Sequence, residues 1–415
     1  MFRTLVLCCL LPIITAIGIS KTELPNKGLP NTGMPFQNDI SNLLNDPVLS
    51  PMELAQNAGY KAESYEVVTQ DGYILEMHRL ESSSTSSRST NKTPVLLLHG
   101  LLDCSVTWIA AGPKVALGYM LVDQGYDVWL GNVRGNRFSR KHSNLTTSDA
   151  EFWMFSWNEM GMYDLPAMID HITMETKQEK IFMVTHSQGG TAFFVMASER
   201  PEYQEKIIAL SALAPAVFMS RVGFSLLAVS SIATVDNNLI SRLPVHDIQP
   251  SGKLLQTVGR VICSQQSPLW SLCKNLFDLF FGYDGNFIES TLGLMSQYDP
   301  AGASIRQFAH YGQSVISGKF RKFDYGAAGN MKNYGQEQPP DYNLGNVSVP
   351  VALYYGTNDV VTVAQDIQEL YETLPNGQKS LIQTDTYAHL DFVWGKKVNT
   401  LVYDKILNFM EQYRE

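Results

Sequence analysis

The sequence predicts an α/β protein: a mostly parallel sheet with helices on both faces and a helical block inserted as a cap. Three observations carry this. Short apolar, β-branched runs alternate with segments of helical periodicity, the pattern of a parallel sheet wrapped on both sides. At 180–200 a strand-like run, a serine with two following glycines and a helical run succeed one another without a gap. The alternation then breaks after Pro215 and resumes only at Val349.

Taken in order, residues 1–20 carry Arg3, an apolar stretch from Leu5 to Ile17 and small residues at Ala16, Gly18 and Ser20. A basic start, an apolar middle too short to span a bilayer and a small-residue end read as a secretory signal. Residues 21–46 are rich in Pro, Asn and Gly without periodicity and read as a flexible arm. The core is expected over 47–216 and 341–415. It opens with a hairpin, Tyr65–Thr69 and Tyr73–Leu80 around Asp71-Gly72. Pro94–Leu98 follows as a buried strand, then a helix over Val115–Gln124, a strand at Asp127–Leu130 and an amphipathic helix over Glu159–Thr176. Strands are expected again at Lys180–Val184, Ile207–Leu213, Val349–Tyr355 and Lys379–Thr384, with a last helix from Thr400 to Tyr413. Residues 217–340, with apolar runs such as 222–229 and 276–281 and no clear strand, form the expected cap.

Composition narrows the function classes. The net charge of −9 disfavours nucleic acid as a partner, and no segment after the signal is long and apolar enough to cross a membrane. Of five cysteines, Cys8 and Cys9 leave with the signal. Secretion permits disulfides, and Cys263 and Cys273 close a short loop, which makes them the natural pair. Cys104, among apolar and small neighbours, is expected to be an inert packing thiol. Sequons at Asn91, Asn144 and Asn346 fall in polar stretches and suit a glycosylated surface. No metal-ligand spacing, phosphate loop or dinucleotide fingerprint occurs, so neither cofactor nor metal is expected.

The chemistry concentrates at Val184-Thr185-His186-Ser187-Gln188-Gly189-Gly190. A strand that turns sharply at a serine and enters a helix lifts the hydroxyl above the sheet edge and aims a helix N-terminus at a developing oxyanion. Such turns favour glycine two residues before the serine. Here Thr185 stands there, and a β-branched side chain must fit where a hydrogen usually sits. A serine hydroxyl is a weak nucleophile and needs a histidine base held by a carboxylate. In α/β-hydrolases these follow in the order serine, acid, histidine, each after a strand. His389 follows the strand at 379–384, whereas His246 and His310 fall in the inserted block and suit packing or surface. Asp359 lies in the loop after the strand ending at Tyr355; its competitor, Asp366, falls within the next helical run. The oxyanion donors are then the backbone amides of Gln188 and of Leu101, the latter in the loop after Pro94–Leu98. His99, which starts that loop, is assigned a structural role.

With these residues in view, the chain resembles the acid lipase family, which includes gastric and lysosomal acid lipases. It does so in Tyr65-Glu66-Val67-Val68-Thr69-Gln70-Asp71-Gly72-Tyr73-Ile74-Leu75, His99-Gly100-Leu101-Leu102, Gly131-Asn132-Val133-Arg134-Gly135-Asn136, Tyr163-Asp164-Leu165-Pro166-Ala167, His186-Ser187-Gln188-Gly189 and His389-Leu390-Asp391-Phe392-Val393-Trp394-Gly395. The likeness extends over nearly everything after about residue 45. It implies an α/β-hydrolase fold with a helical cap and lid, acting on neutral-lipid esters, triacylglycerols or cholesteryl esters, at a lipid–water interface. It implies Ser187 as nucleophile, Asp359 as acid and His389 as base, with Leu101 and Gln188 as oxyanion donors. The family's cap disulfide resembles the Cys263–Cys273 pairing. A secreted or lysosomal protein is expected. A non-catalytic lipid-binding or storage protein on the same fold is the alternative, and a secreted serine peptidase a second; an intact triad disfavours the first and an apolar cap the second.

Overall fold

The computed structural model describes residues 48–82, 92–223, 246–248, 270–271, 286–375 and 377–414. The signal and arm segments, Asn91, Cys263, Cys273 and most of the apolar cap runs lie outside the described residues.

Among the described residues one mixed sheet of nine strands organises the chain: β1 (Tyr60–Val68), β2 (Tyr73–Ser82), β3 (Pro94–Leu98), β4 (Asp127–Gly131), β5 (Lys141–His142), β6 (Ile181–His186), β7 (Ile207–Leu213), β8 (Val351–Gly356) and β9 (Lys379–Thr384). The order across the sheet is β1-β2-β4-β3-β6-β7-β8-β9, with the short β5 beside β2. The hairpin β1–β2 pairs antiparallel with Tyr65 opposite Met77, and β2 runs antiparallel to β4. From β4 to β9 every pairing is parallel. Parallel strands covered on both faces read as unbroken apolar runs, and every residue of β3, β4 and β6 is buried.

Among the described residues, the α-helices of four residues or more are α1 (Pro51–Asn57), α2 (Leu117–Asp123), α3 (Leu165–Thr176), α4 (Gln188–Glu199), α5 (Glu289–Met295), α6 (Ile305–Ser317), α7 (Ala327–Tyr334), α8 (Ala364–Thr373), α9 (Asp391–Trp394) and α10 (Asp404–Glu411). Helix α1 is absent from the sequence reading although its signature is present: Ser50 and Glu53 form a reciprocal capping box ahead of Pro51. The helix expected over Glu159–Thr176 is present as one unbroken helical run from Trp157 to Thr176, with a wide π-type turn at Met160–Asp164 inside it ahead of α3. Pro166 cannot donate to the turn before it, which the widened ladder there accommodates. The last expected helix likewise runs without a break through a π-type turn at Asn399–Tyr403 into α10.

The core packs Leu96, Leu98, Trp129, Met183 and Leu210 of the sheet against Met168 and Ile169 of α3 and Phe193 and Met196 of α4. Buried Arg134 crosses it, joined to Asp164 and Asp71 at 2.7 and 2.6 Å with its guanidinium 4.0 Å from the Tyr73 ring centre. That bridge fixes the loop after β4 to both the hairpin turn and the start of α3. Within 217–340, the described residues hold α5, α6 and α7 and no strand longer than an isolated bridge. No helix among the described residues is long and apolar enough to cross a membrane.

Candidate active site

The C-terminal ends of four parallel strands of the sheet, β3, β6, β8 and β9, deliver the residues singled out from sequence. Ser187 follows β6 with φ 51° and ψ −116°, a backbone conformation rarely adopted by a residue with a side chain. Such strain persists only where the surroundings dictate it. The Ser187 N–H donates to Leu213 O at 2.9 Å, and its carbonyl accepts from Gly190 N at 3.0 Å. Close packing does the rest: a Cβ on Gly189 would stand 2.6 Å from Leu98 O, and one on Gly190 2.7 Å from Pro215 Cβ. Glycine at both positions lets α4 settle directly onto β3 and the chain after β7. Thr185 fits beside this turn, its Oγ1 lying 3.4 Å from where a Cβ on Gly190 would stand, an ordinary contact. The threonine is fully buried and its hydroxyl has no partner.

The loops after β8 and β9 bring Asp359 and His389 to the serine. His389 Nε2 lies 2.9 Å from Ser187 Oγ, and His389 Nδ1 lies 2.8 Å from Asp359 Oδ2. Protonation at Nδ1, with the hydrogen on Asp359, leaves Nε2 as the acceptor for the serine proton. All three side chains are nearly removed from solvent. Asp359 also accepts from Val361 N and Thr362 N at 2.8 Å each, and from Thr362 Oγ1 at 2.7 Å. Burial alone would raise its pKa, but the adjacent His389 and the Thr362 bonds outweigh it and hold the carboxyl below the usual carboxylate range. The group therefore stays ionised beside the imidazole. Such a set can take a proton from a serine hydroxyl and return it to a leaving alcohol.

Two backbone amides belong to segments beside Ser187: Gln188 follows it in the chain, and a Cβ on Gly100, next to Leu101, would stand 3.1 Å from Ser187 Cβ. Among the described residues, neither Leu101 N nor Gln188 N is engaged by another group of the protein. Gln188 opens α4, where a free N–H and the helix dipole coincide. The Leu101 loop is held from behind by His99. Its Nδ1–H donates to Gly100 O at 2.8 Å, while Nε2 accepts from Asn136 Nδ2 at 3.1 Å and Val133 N at 3.3 Å. Burial pushes the His99 pKa down to about 4, so the ring stays neutral and both bonds persist. Its structural assignment agrees with this geometry.

The competing candidates are elsewhere. Asp366 sits in α8, where it accepts from Ser220 Oγ and Arg221 N. His310 is buried in α6, stacked 3.6 Å from Trp157 and bonded to Ser156 Oγ and Arg321 O. His246 lies beside the start of α6, its carbonyl accepting from Ile305 N at 3.0 Å. Cys104 is free and buried, and burial pushes its thiol well up, as suits an inert packing residue.

Two supports escaped the sequence reading. Thr362 completes the shell of Asp359 and carried a signal, since a side chain commonly caps the amide three residues on. His186 Nε2 donates to the His389 carbonyl at 3.0 Å, tying the elbow to the histidine loop. No spacing betrays that bond, which spans 203 residues of chain.

Comparison with known proteins bears on the fold and the family. Residues 51–112 match the profile of a partial alpha/beta-hydrolase lipase region, and residues 93–234 that of the alpha/beta hydrolase fold. The chain is 42% identical to Lipase 3 of Drosophila melanogaster, covering 88% of this chain and 94% of that protein. It is 38% identical to gastric triacylglycerol lipase of Rattus norvegicus, over 85% and 89% of the two chains. It is 35% identical to lysosomal acid lipase/cholesteryl ester hydrolase of Homo sapiens, over 87% and 90%. The chain belongs to the acid lipase family. It is accordingly a lipase, a carboxylic ester hydrolase on the α/β-hydrolase fold. Among solved structures, a soluble variant of monoglyceride lipase from Saccharomyces cerevisiae shares the fold at TM-score 0.53 and 16% identity, covering 90% of this chain and 98% of that one.

Proposed function

We propose that this lipase hydrolyses neutral-lipid esters, triacylglycerols or cholesteryl esters, at a lipid–water interface through an acyl-enzyme on Ser187. His389 takes the serine proton as Oγ attacks the ester carbonyl and gives it to the departing alcohol. Asp359 keeps the imidazole in the required tautomer and stabilises its charged form. The Leu101 and Gln188 amides receive the oxyanion. Water, activated by the same histidine, then releases the fatty acid. The observation that carries this reading is the unbroken series Ser187–His389–Asp359 at 2.9 and 2.8 Å, buried beside two unengaged amides. The substrate class rests on the relatives named for triacylglycerol and cholesteryl ester hydrolysis.

Residues 1–20 would direct the chain into the secretory route, with 21–46 a flexible arm and 217–340 a cap and lid over the core of 47–216 and 341–415. Secreted or lysosomal residence follows from that signal and from the gastric and lysosomal relatives. The Cys263–Cys273 pair would brace the cap. Of the proposed glycosylation sites, Asn91 is outside the described residues, whereas Asn144 and Asn346 are exposed. Asn346 already donates one amide hydrogen to Ser198 O at 3.0 Å and retains another for a glycan.

The test is hydrolysis of a triglyceride emulsion and of a cholesteryl ester by purified protein beside Ser187→Ala. Loss of the serine is expected to lower kcat by about 10⁶. Equal fatty-acid release by the two proteins would refute the assignment.

A further inference from the structure

We propose that Asp103 and Asp299 form a proton-bridged carboxyl pair that positions the oxyanion loop, and that loss of the bridging proton slows hydrolysis as pH rises. The proposal rests on the reading of Leu101 N as an oxyanion donor and adds a regulator to it.

The two acids come from segments far apart in the chain. Asp103 lies two residues beyond Leu101, in the loop after β3, while Asp299 follows α5 in the inserted block. Carboxylate oxygens of both, together with Cys104 Sγ, lie within 4.8 Å of one another. Asp103 is buried, and Asp299 Oδ1 is shut off from water with no hydrogen-bond partner among the described residues. Two carboxylates this close and this dry cannot both be ionised at modest cost; one proton shared between them turns repulsion into a short, strong bond.

Few other groups could offset the charge. Cys104 is a neutral thiol, itself pushed up by burial and by both aspartates. Thr107 donates a hydrogen bond to Asp103, and Cys104 N donates to Asp103 Oδ1 at 2.6 Å. Among the described residues the cation facing the pair is Arg137, which is engaged with Gln297 O at 2.8 Å and lies over the Tyr298 ring. Its attraction favours ionised Asp299, but burial and the neighbouring Asp103 outweigh it. Burial likewise raises Asp103 above the ordinary carboxylate range. Both groups therefore favour the protonated form in the folded protein. The stabilisation is full below the unfolded carboxyl pKa and is lost as pH rises through the raised folded value.

The pair is attached to the catalytic geometry through Leu102. That residue has φ 65°, a left-handed conformation unfavourable for a leucine. It is held between the Asp103 side-chain bridge and a 2.5 Å bond from Ala301 N to Leu102 O. Both restraints join the same two segments. Repulsion between ionised Asp103 and Asp299 would pull against the Ala301–Leu102 bond and release the strained turn immediately after Leu101 N. On the far side, Trp394 Nε1 donates to Thr107 Oγ1 at 2.8 Å, so the segment is anchored there and its motion is concentrated at the oxyanion loop.

The discriminating variant is Asp299→Asn, whose amide can donate to the Asp103 carboxylate at every pH. Rates are read with a soluble p-nitrophenyl ester, so that interfacial adsorption plays no part. For the parent, kcat is expected to fall about tenfold per pH unit on the alkaline side once the bridge titrates. In Asp299→Asn that limb should move up by at least about one pH unit while the acid limb, set by the triad, stays in place. Asp103→Asn should behave alike, and circular dichroism establishes that either variant is folded. A second measurement does not depend on activity. Infrared difference spectra should show a buried carboxylic-acid C=O band in the parent at neutral pH and none in either variant. An alkaline limb that superimposes on the parent's in both folded variants overturns the proposal. So does absence of the band, or a stoichiometric metal ion in the purified parent, which would make the bridge a cation. Activity surviving Ser187→Ala would instead overturn the triad reading and leave the infrared test of the bridge intact.

Discussion

Replacing Gly189 with alanine tests how tightly the oxyanion site depends on the contact between α4 and the end of β3. A Cβ at this position would stand 2.6 Å from Leu98 O and 3.0 Å from His99 O, both backbone atoms that cannot rotate away. To reach an ordinary contact of about 3.5 Å the helix and strand must part by roughly 0.9 Å. Overpacking of this kind costs about 1–3 kcal/mol of stability. The rate should suffer more than the fold. The displacement separates Gln188 N, on α4, from Leu101 N, three residues beyond Leu98, and a misplacement near 1 Å costs about 10²-fold in rate. The expected result is a folded enzyme with kcat lowered about 10²-fold on a soluble p-nitrophenyl ester. Gly190→Ala is the control: its Cβ meets the Pro215 side chain at 2.7 Å, away from the oxyanion loop. It should destabilise similarly, by about 1–3 kcal/mol, and lose less than about tenfold in kcat. A folded Gly189→Ala enzyme turning over within threefold of the parent would refute the reasoning, as would equal kcat losses in the two variants.

Two further outcomes follow from the same geometry. Asp359→Asn should lower kcat by about 10⁴, because an amide can donate to His389 Nδ1 and trap the wrong tautomer. Since the folded pKa of Asp359 is depressed, its contribution to stability is present above about pH 4 and disappears as pH falls through the folded value. The stability gap between parent and variant should therefore narrow on acidification, and a gap unchanged down to about pH 2 would contradict that sign. Thr185→Val keeps the branched shape and removes a buried hydroxyl that has no partner. Unfolding in urea should show a gain of up to about 1 kcal/mol with kcat unchanged; a loss of similar size would mean the hydroxyl is satisfied in solution.

Much of the scaffold could be read in one dimension. Runs such as Pro94–Leu98 and, but for Ser211, Ile207–Leu213 are apolar because both sheet faces are covered, and both form strands with those bounds. The interior of the helices was less legible: a π-type turn widens the helical run ahead of α3 and another the run ahead of α10, and local periodicity shows neither. Helix α1 was missed despite its Ser50–Glu53 box, because a short helix contributes too few periodic positions to stand out.

The candidate site divides along the same line. Order and local context were enough to select Ser187, Asp359, His389, Leu101 and Gln188, since each follows a strand and a parallel sheet brings such ends to one edge. They also favoured Asp359 over Asp366, which lies within a helix. Sequence alone left open whether Thr185 could occupy the elbow. Its fit is a matter of packed distances, such as the 3.4 Å between its Oγ1 and the place of a Cβ on Gly190, which no spacing encodes. The bond from His186 to the His389 carbonyl and the approach of Asp103 to Asp299 likewise exist only once distant segments are packed together. Residue type and periodicity determined which chemistry this chain carries, because they act locally along the backbone. Tertiary structure decided which groups hold that chemistry in place, because burial, distance and charge proximity are properties of the folded arrangement.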